Sequence, residues 1–174
     1  MTPPAPTVSH VLISEVFDQP EAGGAHGTDT TSEWIELYNP TASVIDLSNW
    51  TIKDATTNFD RIPAGTSIPA NGFLILMAAS TTPNFWSMPA GVQKISFESP
   101  LGSGLNNTSE TLFLRNAATS TIDSLSWGAN TDGFASGSGA TDVVPGHSLA
   151  RSILTTDTDT SADWIDRRTP TPGQ

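Results

Sequence analysis

Hydrophobic and polar positions alternate most clearly in Glu-Trp-Ile-Glu-Leu-Tyr-Asn-Pro, residues 33–40. Ile35 and Leu37 point to one side, Trp34, Glu36 and Tyr38 to the other. A period of two in aromatic and β-branched residues predicts a half-buried strand. Asn39-Pro40 ends it, because proline has no N–H for a ladder and steers its predecessor away from helix. Val44 to Leu47 is a short apolar piece, and Trp50-Thr51-Ile52 starts a second strand that Lys53-Asp54 lead out of. Ile35 and Leu37 are expected to share the core with Leu74, Leu76, Leu112 and Leu114. Trp50 is expected to be a buried anchor touching both layers.

The rest of the chain repeats this strand-and-turn grammar. Residues 11–17 (Val-Leu-Ile-Ser-Glu-Val-Phe) carry apolar side chains on both faces, as a strand between two layers would. Residues 18–32 form a long polar loop. Pro63 and Pro69 make residues 59–72 an edge or an extended crossover, and Asn71-Gly72 is a turn signal. Residues 73–77 (Phe-Leu-Ile-Leu-Met) are the most continuously apolar run and predict a central strand. Periodicity dissolves over residues 78–107, which predict a long crossover with one helical turn and aromatics tacked onto the core. Residues 110–115 and 121–127 predict a hairpin, and residues 147–151 a last short strand. A tail anchored by Trp164-Ile165 follows. No amphipathic helix of useful length and no repeat is visible. Seven or more short strands predict an all-β, immunoglobulin-like β-sandwich with long loops.

Composition narrows the function classes. At 174 residues the chain is long enough for one domain with a real core. Its net charge of −11 repels a phosphate backbone, so no nucleic-acid partner is expected. With no cysteine, disulfides, thiolate catalysis and Cys-based zinc sites are excluded. No stretch reaches the roughly 20 apolar residues of a membrane span. Residues 1–10 lack the basic start and apolar run of a signal peptide and read as a linker cut from a longer chain, with Met1 added ahead of it.

Several motifs together resemble the lamin tail domain family. They are Ile13-Ser14-Glu15-Val16, Glu33-Trp34-Ile35-Glu36-Leu37-Tyr38-Asn39, Asp46-Leu47-Ser48-Asn49-Trp50-Thr51-Ile52 and Ile62-Pro63-Ala64-Gly65-Thr66 with Ile68-Pro69-Ala70-Asn71-Gly72. Leu105-Asn106-Asn107 before Glu110-Thr111-Leu112, then Ser148-Leu149-Ala150-Arg151, and the closing Thr169-Pro170-Thr171-Pro172-Gly173 complete the set over residues 11–173. The resemblance implies an immunoglobulin-like sandwich with no catalytic residues. The Thr-Pro-Thr-Pro-Gly ending is similar to that of bacterial members, which sit as accessory modules in exported or surface proteins. It therefore implies an extracellular or cell-surface protein, with a protein or surface polymer as partner.

Candidate chemistry is sparse. Glu15, Glu33 and Glu36 suggest a carboxylate pair for acid–base work, but no base or nucleophile accompanies them. The expected role of Glu15 and Glu36 is pairing with Lys53, Arg61 or Arg115 on neighbouring strands, fixing register on the sheet. His10, His26 and His147 are too widely spaced for a metal motif, and no Gly-x-Ser-x-Gly elbow exists. Asp157, Asp159 and Asp163 place oxygen ligands in a calcium-like spacing, yet Ala162 stands at the turn glycine's position and Arg168 at that of the bidentate glutamate. No cofactor is expected, with calcium the one alternative. Trp86 is either a sugar-stacking platform or a plug on the sheet. The expected function is a non-catalytic accessory domain; the alternatives are a carbohydrate- or surface-polymer-binding module and a calcium-dependent adhesion domain.

Overall fold

The computed structural model describes residues 8–21 and 23–174. The described residues form twelve strands: β1 (Leu12–Phe17), β2 (Trp34–Tyr38), β3 (Ile45–Asp46), β4 (Thr51–Lys53), β5 (Phe59–Arg61), β6 (Ser67–Ile68), β7 (Phe73–Met77), β8 (Gln93–Ser96), β9 (Glu110–Arg115), β10 (Thr121–Trp127), β11 (Ser148–Arg151) and β12 (Trp164–Arg167). A six-stranded sheet runs β12-β11-β1-β2-β7-β8, and a four-stranded sheet runs β10-β9-β4-β5. β3 and β6 pair as a small third sheet. Pairing is antiparallel except between β7 and β8. The immunoglobulin-like β-sandwich expected from the strand pattern is the fold. Among the described residues no helix is long and apolar enough to cross a membrane.

The period-two pattern of β2 decides which side faces in. Ile35 and Leu37 pack with Leu74, Leu76, Leu112 and Leu114 in a core that also takes Ile13, Val16, Ile52, Leu125 and Trp127 from both sheets. Trp34 points the other way, into a second cluster with Phe17, Ile75 and Met77 on the outer face of the six-stranded sheet. Every residue of β2 is buried, so the strand is covered on both faces and not half-buried as its alternation predicts. Residues 23–32 and 80–92 provide the cover: His26, Trp86, Met88 and Val92 pack there. The polar loops thus act as a third layer over one sheet.

Other departures have local causes. β8, with the pattern Gln-Lys-Ile-Ser, is too polar to announce itself, and it pairs in parallel beside the most apolar strand. The C-terminal tail adds β12 against β11, so residues 147–151 are not the last strand. Trp164 anchors this tail, whereas Ile165 is exposed. Trp50 packs against the core but is only half-buried; Trp34 and Trp127 are the fully buried indoles. Residues 1–7 of the expected linker lie outside the described residues.

Candidate binding surfaces

Glu15 and Glu36 emerge opposite one another on the outer face of the six-stranded sheet, and both are buried. Neither meets Lys53, Arg61 or Arg115, which sit on the other sheet, so the expected register-fixing ion pairs do not form. Glu15 instead accepts hydrogen bonds from Ser148 Oγ at 2.5 Å and from the N–H and Oγ1 of Thr171 at 3.0 Å. Glu36 lies 2.5 Å from Ser14 Oγ and accepts from the Gly173 N–H at 2.6 Å. Burial pushes the Glu36 carboxyl up to about 8 in spite of these bonds. Gly173 sits at φ 88°, and a Cβ there would come 2.8 Å from Val92 Cγ2, so this turn requires glycine.

Glu33 also lacks a cation. Its Oε2 accepts from the Leu105 N–H at 3.2 Å, and its Oε1 is buried without a partner. Asp18, one residue beyond the Phe17–Trp34 pair, is likewise buried with Oδ2 unpartnered. Burial pushes Glu33 up to about 8 and Asp18 to about 7, with the charges of neighbouring aspartates adding to both. The sequence motifs draw no attention to Asp18, which becomes visible only when register places it beside Glu33.

Asp157 and Asp163 come together around a buried cation. Arg151 donates from Nε to the Ile13 carbonyl and from one terminal nitrogen to both oxygens of Asp123 at 3.0 Å. Its other terminal nitrogen reaches Asp157 Oδ1 at 3.2 Å and lies 3.7 Å from Asp163. The guanidinium also covers the Trp164 ring, 4.9 Å from its centroid. Asp163 accepts from the N–H and Oγ1 of Thr158, and His10 pairs with Asp157 at 3.2 Å. Burial pushes the Asp157 carboxyl up, but His10 and Arg151 outweigh it and hold the group down at about 2. Asp159 is exposed beside this cluster. Among the described residues no three carboxylate or imidazole groups are placed to hold one metal ion.

The three histidines are dispersed. His26 stacks on Trp86 with centroids 4.2 Å apart, and Trp86 meets Phe17 and Trp34 edge-on. The Trp86 ring is therefore packed between its own neighbours on the covered sheet. His147 pairs with Asp166.

The outer face of the four-stranded sheet is organised differently. Register aligns Arg61, Thr51 and Arg115 in one row across β5, β4 and β9, and Phe59, Lys53 and Phe113 in the next. Ile52 and Leu114, between these positions, face the core. Arg61 covers Phe59 and Arg115 covers Phe113, each 5.4 Å from the ring centroid. Among the described residues, no carboxylate forms an ion pair with these three cations. Lys53 donates to the carbonyls of Asp54 and Thr56, and Arg61 to that of Asn49. Thr51, Lys53, Phe59, Arg61 and Arg115 from these rows, with Thr57 and Thr119, line a concave surface of about 340 Å³. A signal for it stands in the sequence: Phe59-Asp60-Arg61 and Phe113-Leu114-Arg115 are the same aromatic-x-arginine step, repeated on strands that share a neighbour.

A search of curated proteins finds no match to this chain. Eleven solved chains match its structure. One is a DUF4876 family protein from Bacteroides thetaiotaomicron, with a TM-score of 0.62 and 11% identity over 94% of this chain and 72% of that one. That likeness is one of fold. The family model for the Lamin Tail Domain matches residues 4–129. Those residues include β1 to β10, most of the sandwich core and both rows of the basic face. The chain belongs to the Lamin Tail Domain family, a family of non-catalytic immunoglobulin-like domains.

Proposed function

We propose that this domain is a non-catalytic binding and spacing module of a larger, exported or cell-surface bacterial protein, and that it binds through the outer face of its four-stranded sheet. The observation that carries this reading is a contrast between two sheet faces. On the six-stranded sheet, loops and the C-terminal turn cover the outer face, and Glu15 and Glu36 are engaged in holding that cover down. On the four-stranded sheet, Lys53, Arg61 and Arg115 stand without carboxylate partners beside Phe59, which is 50% exposed. Unneutralised cations beside aromatic rings contribute nothing evident to the core and fit recognition. The extracellular setting is supported by the Thr-Pro-rich ending, similar to that of bacterial members of the family.

Isolated bacterial envelopes provide the test. The purified domain should bind them saturably, without chemical change to the envelope material. Replacing Lys53, Arg61 and Arg115 together by glutamine should abolish retention while leaving the melting temperature within a few degrees of the parent. Equal retention of that variant would rule out the face. Turnover that disappears in Glu33→Gln would rule out the non-catalytic reading.

A further inference from the structure

Two rows of side chains on one sheet face have a definite spacing. Neighbouring strands lie about 4.8 Å apart, so the Arg61 and Arg115 positions on either side of Thr51 are separated by about 10 Å. The next row lies two residues along each strand, about 6.6 Å away, and carries Phe59, Lys53 and Phe113. The face therefore presents two guanidinium groups with a hydroxyl between them, above two rings with an ammonium between them. Arg115 Nε is buried without a hydrogen-bond partner.

We propose that this face, as the binding surface of the function inferred above, takes an acidic polysaccharide whose sugars carry carboxylates. Guanidinium groups match carboxylates in planar, two-point geometry. An aromatic ring such as Phe59 offers its apolar surface to the C–H face of a pyranose. The two arginines stand about one disaccharide apart along an extended chain, so alternate carboxylates reach successive guanidinium groups. Thr51, Thr57 and Thr119 add hydroxyls for ring oxygens and hydroxyl groups.

Charge favours this partner over a nucleic acid. The chain carries −11 overall, and three of its seven basic residues are gathered here. A duplex bears a charge about every 1.7 Å and would meet strong repulsion from the acidic remainder with only three cations to offset it. A chain with one carboxylate per one or two sugars is far less densely charged. Its uncharged portions can then lie on the aromatic row.

Titration of the whole chain with polygalacturonate oligomers at low ionic strength tests this, with the fully methyl-esterified polymer as the same sugar without charge. Binding to polygalacturonate is expected, at least tenfold tighter than to the ester. Arg61→Gln with Arg115→Gln should weaken it at least tenfold, and Phe59→Ala severalfold, without a change in melting temperature. Raising the salt concentration should weaken it further. Equal binding of ester and acid overturns the proposal. So does tighter binding of a single-stranded DNA oligomer of equal charge, which would make the partner a nucleic acid. If neither polymer binds while envelopes are still retained through Arg61 and Arg115, the binding face stands and the polysaccharide assignment is overturned.

Discussion

Glu15 and Glu36 face each other across β1 and β2, and one C-terminal turn supplies N–H donors to both carboxyls, from Thr171 to the first and from Gly173 to the second. Two carboxyls on adjacent strands would repel if both were ionised, and burial raises the cost of ionising Glu36. The turn and the neighbouring Ser14 and Ser148 hydroxyls relieve it by hydrogen bonding. Removing residues 171–174 should therefore destabilise the domain by about 3 kcal/mol, the scale of leaving buried carboxyls without their donors. Urea unfolding of the truncated chain measures this. A loss under about 1 kcal/mol would mean that the turn is decoration.

A protonated Glu36 changes what a substitution does. With its carboxyl near 8, the group is mostly neutral at pH 7, and the Ser14 hydroxyl lies within reach of both its Oε1 at 2.5 Å and the Glu36 carbonyl at 3.3 Å. Glu36→Gln keeps a donor and an acceptor, so its cost at pH 7 should stay within about 1 kcal/mol. Glu36→Ala leaves the Gly173 N–H unpaired and should cost about 2–3 kcal/mol.

Stability should fall toward alkaline pH. Glu33, Glu36 and Asp18 have folded-state carboxyls raised by burial to about 8, about 8 and about 7. A raised carboxyl contributes its stability below the unfolded-state range near 4, and loses it as pH rises through the folded value. Asp157, held at about 2, acts in the opposite sense and loses its contribution as pH drops below about 4. Thermal melts should therefore peak between about pH 4 and 6 and decline by at least about 2 kcal/mol toward pH 9. Glu33→Gln should flatten the alkaline limb. A profile that rises steadily from pH 5 to 9 would contradict the burial of these groups.

Arg151 joins both sheets: it lies on β11, takes the carbonyl of Ile13 on β1 and both oxygens of Asp123 on β10. Arg151→Ala leaves Asp123 buried without its cation and should cost about 3–5 kcal/mol. Arg151→Lys should recover only part of this, since an ammonium cannot serve the same fork or cover Trp164 in the same way. Denaturant midpoints of the two variants give the comparison. Trp50→Ala should cost less than Trp34→Ala, because Trp50 is half-buried and Trp34 is fully enclosed.

Much of the sandwich is legible along the chain, and the reason is its inner face. Ile35 and Leu37, Leu74 and Leu76, Leu112 and Leu114 keep strict alternation because each strand buries them against the opposite sheet. What the pattern hides is what covers the outer faces. Trp34 and Glu36 alternate as if exposed, yet long-range contacts with Trp86 and Gly173 bury them. Such cover depends on loops and a tail whose composition looks solvent-facing. The Arg151 cluster is invisible for a related reason: Asp123, Asp157 and Asp163 lie 28, 6 and 12 residues away, with no shared motif. Trp50 shows the converse error, since an aromatic at a strand entrance reads as core whether or not a second layer reaches it.

Chemical-shift mapping of the isotopically labelled chain during titration with polygalacturonate oligomers addresses the binding face most directly. The largest backbone and side-chain changes should fall on Thr51, Lys53, Phe59, Arg61, Phe113 and Arg115, with β1, β2 and the Trp86 cluster unmoved. Changes centred on Trp86 and His26, or on the Asp18–Glu33 end, with none on β4, β5 and β9, would contradict a binding role for the outer face of the four-stranded sheet.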